Sequence, residues 1–184
     1  MTAPAFLLFG AHGDLALRML WPSLFRLHCD GSLPADMAVF GISRSGSTDE
    51  LHVHLHKSLA DELNEGNRAH FDSFLAKVEF VNLDAGQAAD YAGLADILRG
   101  RGRHVAISYL SMPPDLFAPI VENLQAAGLI DPRTRVILEK PIGKDLASSR
   151  AISDGVAKAL AEDQTYRIDH YLGKEAVQNL LALR

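Results

Sequence analysis

The sequence predicts an α/β fold built on a doubly wound parallel sheet, and two observations predict it. Short, continuous apolar runs alternate with segments of helical period from one end of the chain to the other. The runs show no in–out alternation, which fits strands covered on both faces. Strand–helix–strand repetition with right-handed crossovers then places helices on both sides of one sheet.

The elements follow in order. Ala5-Phe6-Leu7-Leu8-Phe9 is a strand stopped by Gly10, and Asp14 to Leu27 is a helix with Leu15, Leu20, Leu24 and Leu27 on one face. Met37 to Ser43 predicts a second strand ending near Gly41. Asp49 to Leu75 reads as one helix bent or broken at Gly66 and Asn67. Val78 to Leu83, Val105 to Leu110, Arg135 to Leu138 and Tyr166 to Ile168 supply the remaining strands. Gln87 to Leu98, Leu116 to Ala127 and Leu146 to Leu160 are the helices between and after them, and Gly128 closes the second of these. Lys174 to Arg184 predicts a last helix.

Composition sets the bounds. The chain has 184 residues, 48% apolar and 22% charged, enough to bury the core of one ordinary domain. A net charge of -5 points away from nucleic acid and from anionic membrane surfaces as partners. No run approaches the length of a membrane helix. The first ten residues lack the basic start of a signal peptide. One cysteine, Cys29, forms no disulfide within the chain, which suits a reducing, cytoplasmic setting. The chain stops inside an apolar helical segment, Val177 to Leu183, which predicts a fragment of a longer protein.

Four sites along the chain carry chemistry. The first is Gly10-Ala11-His12-Gly13-Asp14-Leu15, between a strand and a helix, where a phosphate-binding turn belongs. Gly10 permits the turn, and Gly13 lets the backbone approach a pyrophosphate held by the helix start. The pattern is G-x-x-G, shorter than the dinucleotide fingerprint, so its placement carries the reading. Asp14 is either an N-cap or a direct ligand. The second site is Arg44, where an NAD enzyme has an acid for the ribose hydroxyls. A guanidinium suits a 2′-phosphate, so NADP is expected rather than NAD. The third is Glu139-Lys140-Pro141-Ile142-Gly143, which puts a lysine at the carboxyl end of a strand, where such sheets bind ligands. A cis Lys140–Pro141 bond would aim that lysine sharply. The fourth is Arg167-Ile168-Asp169-His170-Tyr171-Leu172-Gly173-Lys174-Glu175. There a carboxylate can orient a base, and a histidine, a tyrosine and a lysine can grip a phosphate.

That last string closely resembles the substrate-site signature of the glucose-6-phosphate dehydrogenase family. The glycine turn and the Glu-Lys-Pro turn resemble the same family, and the resemblance covers essentially the whole chain but only the first part of the family's length. It implies a Rossmann-like NADP-binding domain over residues 1–168. Residues 169–184 would then be the substrate-site segment and first helix leading into a second α+β domain that this chain lacks. It implies oxidation of glucose 6-phosphate to 6-phosphogluconolactone, the first step of the oxidative pentose phosphate pathway. Lys140 would touch sugar and nicotinamide, His170, Tyr171 and Lys174 would hold the sugar phosphate, and Asp169 would orient a catalytic histidine in the second domain. Gly10, Ala11, His12, Gly13, Asp14, Leu15 and Arg44 would hold NADP, with Asp84 and Ala85 lining its adenine side. Tyr109 to Pro114 would pass near the cofactor. The full-length protein would be a homodimer or homotetramer, and the chain alone would bind NADP with almost no turnover. One departure stands out: Leu17 and Met19 occupy positions that are usually basic in the family, leaving Arg18 as the only charge there.

Other histidines read as packing or solvated residues. His52, His54 and His56 spread around one helix and make a poor metal cage. Two other function classes remain open on sequence alone: a different NADP-linked sugar oxidoreductase, and a nucleotide-binding module without chemistry.

Overall fold

The computed structural model describes residues 2–168. Asp169, His170, Tyr171, Lys174 and the expected last helix lie outside the described residues. The strands are β1 Ala3–Phe9, β2 Ala38–Ser43, β3 Val78–Asn82, β4 Arg103–Leu110, β5 Arg135–Glu139 and β6 Thr165–Ile168. They form one sheet in the order β3-β2-β1-β4-β5-β6, and every neighbouring pair is parallel. The helices are α1 Trp21–Cys29, α2 Thr48–Ser58, α3 Arg68–Leu75, α4 Asp90–Gly100, α5 Phe117–Ala126 and α6 Leu146–Ala157. This is the doubly wound order, in which the order of adding strands reverses between β1 and β4.

The apolar runs divide by alternation into two cores. Leu7 and Phe9 of β1 join Phe40, Ile42 and the inner faces of α4 and α5 on one side of the sheet. Phe6 and Leu8 join Val39 and the inner faces of α1, α2 and α3 on the other. Each such fully buried side chain contributes roughly 1.5–3 kcal/mol relative to exposure. A strand with both faces covered therefore reads as a continuous apolar run.

Local signals fix the helix ends. Ser47 caps α2, its hydroxyl accepting from Glu50 N–H at 3.2 Å. Asp145 and Ser148 form a reciprocal capping box on α6. α5 ends where Gly128, at φ 69°, lets its own N–H reach Gln125 and the N–H of Leu129 reach Leu124, both at 2.9 Å. Leu129 then turns into the core.

The expected stripe on the first helix holds in part: Leu24 is buried and Leu20 packs against the same core, but Leu15 and Leu27 are 38% and 44% exposed, and Ala16, Trp21 and Phe25 are buried in their place. The physical reason is a π turn over Ala16–Leu20, in which Trp21 N–H bonds to the Ala16 carbonyl and puts residues five apart on one face. The segment 49–75, expected to bend or break at Gly66 and Asn67, is two helices, α2 and α3. Asn64 and Asn67 hold the segment between them, accepting backbone N–H groups at 2.9 Å and donating to the Glu62 carbonyl at 2.8 Å.

Candidate dinucleotide site

β1 delivers the chain to Gly10, whose φ is 78°. The N–H groups of Gly10 and Ala11 both donate to the Ile42 carbonyl, at 2.9 and 3.2 Å, and this ties the turn to β2. Gly13 N–H donates back to Gly10 at 2.8 Å, and Leu17 N–H donates to Gly13 at 3.0 Å. The helical path thus starts at Asp14, so the N–H groups of Asp14, Leu15 and Ala16 have no acceptor within the helix. Those amides and the helix dipole favour an anion. Trp21 supports the turn from below: it is fully buried, and its indole N–H donates to the Ala11 carbonyl at 2.9 Å.

Beside the turn lies a cleft of about 500 Å³ along the carboxyl ends of β1, β2 and β3. Gly10, His12, Arg44, Asp84 and Ala85, all expected from the sequence, line it. Ser43, Ser45, Met112 and Pro113 line it as well. Sequence reasoning passed over the two serines, although they flank Arg44 directly. Arg44 is exposed and, among the described residues, forms no ion pair. Ala11 is buried and anchors the turn rather than lining the cleft. Asp14 and Leu15 face solvent at the helix start, where Asp14 lies 3.6 Å from Arg18 in an exposed ion pair. Met19 is exposed and Leu17 half-buried.

His12 closes one end of the cleft. Its ring stacks on Phe80 at 5.0 Å and meets His54 edge-on at 5.2 Å. Its Nε2 is buried and has no hydrogen-bond partner. Burial, and then the neighbouring His54, push its pKa down, so the ring is neutral at neutral pH. The other histidines of α2 turn elsewhere: His52 bonds to the Val78 carbonyl at 3.0 Å, and His56 packs on Phe71 at 4.6 Å.

Lys140 stands just beyond β5, two strands from β1, exposed at the same edge of the sheet. The Lys140–Pro141 peptide is cis. Glu139 before it accepts a hydrogen bond from the Tyr109 hydroxyl. The substrate-side residues Asp169, His170, Tyr171 and Lys174 lie outside the described residues, so their placement relative to Lys140 stays a sequence expectation.

Sheet order, glycine turn and cleft together define a dinucleotide-binding domain of the doubly wound type. Comparison with known proteins narrows this. Residues 7–179 match the family model described as glucose-6-phosphate dehydrogenase, NAD binding domain. The chain belongs to the glucose-6-phosphate dehydrogenase family. It is 44% identical to glucose-6-phosphate 1-dehydrogenase of Zymomonas mobilis, over 100% of this chain and 38% of that protein. It is 39% identical to the enzyme of the same name from Mycolicibacterium smegmatis, over 97% of this chain and 38% of that one. A solved glucose-6-phosphate dehydrogenase in complex with glucose 6-phosphate superposes on 100% of this chain and 40% of its own, with TM-score 0.85 and 30% identity. The Mycobacterium avium enzyme does so with TM-score 0.84 and 34% identity, over 39% of its length. The chain thus spans about two fifths of the length of the relatives it matches. No described helix is long and apolar enough to cross a membrane.

Proposed function

We propose that this chain is the NADP-binding part of a glucose-6-phosphate dehydrogenase that oxidises glucose 6-phosphate to its lactone in the cytoplasm. The observation that carries the reading is the cleft, which joins the glycine turn to Arg44 and has no acid at the end of β2. A free-standing guanidinium between two serines fits a 2′-phosphate and has no use for ribose hydroxyls. The donor set therefore suits NADP. Arg44, Ser43 and Ser45 would hold its 2′-phosphate, the amides of Asp14 to Ala16 its pyrophosphate, and Asp84 and Ala85 its adenine side. Bound NADP supplies the two-electron acceptor for oxidation at the anomeric carbon.

The chain's own residues do the positioning. Lys140 bonds the sugar near the reacting carbon and keeps a positive charge beside the hydroxyl that loses its proton. His170, Tyr171 and Lys174 hold the phosphate at the far end. Asp169 orients the histidine base that the family's second domain supplies. Family membership over residues 7–179 supports the substrate, since the named relatives are glucose-6-phosphate dehydrogenases.

Calorimetric titration of the purified chain tests the cofactor, with NADP expected to bind at least about tenfold more tightly than NAD. Equal affinities would overturn the cofactor assignment. A sugar panel on the whole protein tests the substrate: activity on unphosphorylated glucose equal to that on glucose 6-phosphate would overturn it.

A further inference from the structure

We propose that Tyr109 and Glu139 form a positioning pair for Lys140, fixing where that lysine stands at the carboxyl end of β5. The inference rests on the dehydrogenase reading, in which Lys140 faces the sugar near its reacting carbon. β4 and β5 are paired with Tyr109 opposite Ile137. Glu139 lies two residues further along β5 and so projects from the same face as Ile137. From there its carboxylate receives the Tyr109 hydroxyl proton in a hydrogen bond across the two strands.

The two ends of this bond differ in freedom. Tyr109 is 8% exposed and stacks on Phe6 with centroids 6.5 Å apart, so its ring is rooted in the core beneath α1. Burial, and next Glu139 itself, hold its pKa well above the ordinary phenol value, so it stays a donor at any working pH. Glu139 is the last residue of β5, half-buried, with Ile168 of β6 as its register partner. Lys140 is the next residue in the chain. The bond thus pins the final residue of the strand to a fixed point in the core, and the lysine departs from that residue.

Packing alone gives no reason for an acid here. A half-buried position at a strand end is covered equally well by a neutral side chain, without the desolvation of a carboxylate. A directional bond from a rigid donor is what an acid adds, and direction matters most immediately before a residue that must meet a substrate within a fraction of an ångström.

Three variants separate bond from charge. Tyr109→Phe keeps the Glu139 charge and removes the bond. Glu139→Gln removes the charge and keeps an acceptor for the phenol, and Glu139→Ala removes both. The first readout is the position and width of the Lys140 methyl signal, followed by NMR on the isotopically methylated 184-residue chain and assigned with Lys140→Arg. Tyr109→Phe should move or broaden that signal, and Glu139→Ala should differ from Glu139→Gln. The second readout is kinetics of the whole dehydrogenase. Tyr109→Phe and Glu139→Ala should each lose about tenfold or more in kcat/KM for glucose 6-phosphate, with the NADP dissociation constant within about twofold and Glu139→Gln largely rescued.

An unchanged Lys140 signal and unchanged kcat/KM in folded Tyr109→Phe protein would overturn the pair. Should that variant fail to fold, the Gln-against-Ala comparison decides, and equal behaviour of the two overturns it. If the parent enzyme does not oxidise glucose 6-phosphate, the dehydrogenase reading fails, while the Lys140 signal still decides the pair.

Discussion

The carbonyl oxygen of Ser111 occupies the space a side chain on residue 10 would need: a Cβ built on Gly10 would lie 2.2 Å from it. The two segments are joined by the N–H of Ser111, which donates to the Phe9 carbonyl at 3.1 Å. The glycine turn after β1 is thereby pressed against the segment after β4, at the point where the sheet reverses its winding. Gly10 also sits at φ 78°, where a Cβ costs about 1–3 kcal/mol by conformation alone. Gly10→Ala should therefore destabilise the chain by about 3 kcal/mol or more, since backbone must move as well as strain. Urea denaturation measures this directly, and NADP affinity should fall in parallel in whatever fraction stays folded. Gly13→Ala makes the contrast, because its Cβ would meet only the Gly10 carbonyl, at 3.1 Å. It should cost much less stability while still hindering a pyrophosphate.

Trp21 carries the turn from the other side of the sheet. Its ring is fully buried and its N–H satisfies the Ala11 carbonyl at 2.9 Å. Trp21→Phe keeps most of the apolar contact but strands a buried acceptor, which costs about 1–3 kcal/mol in addition to the smaller ring's cavity. Because Ala11 lies within the turn, NADP affinity should weaken too, whereas a remote core change such as Phe74→Leu should lower stability and leave affinity unchanged. Parallel urea and calorimetric titrations check both.

Much of this was legible in the sequence because it is local. Strands such as Phe6 to Phe9 are apolar on both faces, and that composition appears in the chain itself. The turn at Gly10 is readable because strand, glycine and helix are contiguous. Arg44, Asp84 and Ala85 could be assigned to one edge, since a parallel sheet presents every strand end on the same side. What escaped depends on contacts distant in sequence. The face of the first helix was misread in part because five-residue spacing becomes a single face only through the π turn at Ala16–Leu20. β2 ends at Ser43, as the run from Met37 to Ser43 predicts. The role of Gly41 within it is not local: its missing side chain makes room for Ala11, Leu51 and Trp21, which a Cβ would meet at 3.0, 2.8 and 3.2 Å. The Tyr109–Glu139 bond joins residues on separate strands and leaves no trace in local pattern.

On the proposed reading, Arg44 selects the cofactor. Its guanidinium is exposed at the cleft and, among the described residues, pairs with no carboxylate. Nothing local then needs it for folding, so Arg44→Ala should leave the melting temperature essentially unchanged. A charge-assisted pair of hydrogen bonds to a phosphate is worth about 1.5–3 kcal/mol, so NADP binding should weaken roughly tenfold to a hundredfold. NAD lacks the 2′-phosphate and should bind the variant as it binds the parent. Arg44→Lys should recover only part of the loss, because a single ammonium cannot form the planar fork. Titrations of both nucleotides against the three proteins distinguish this from a general loss of the site.

Acid should lower the chain's stability through two sets of groups. His12 and His28 both titrate below their ordinary value of 6.5 in the folded state, chiefly through burial, then through His54 for the first and Lys77 and His70 for the second. The unfolded chain therefore takes up these protons first as pH falls. Stability is highest above about 6.5, declines as pH drops through that value, and stops declining from this source once the folded rings are also charged. Asp131 and Glu162 titrate below their ordinary values, held down first by hydrogen bonds from Arg133 and Arg167 respectively. Their contribution is intact above the unfolded carboxylate range and disappears only as pH falls through their lower folded values, a separate window beneath that of the histidines. Urea midpoints measured across pH should begin to decline near about 6.5 and decline further as pH falls through the carboxylate range. Replacing His12 and His28 by asparagine should flatten the upper decline and leave the lower one in place, and an upper decline that survives the double replacement would assign it to other groups.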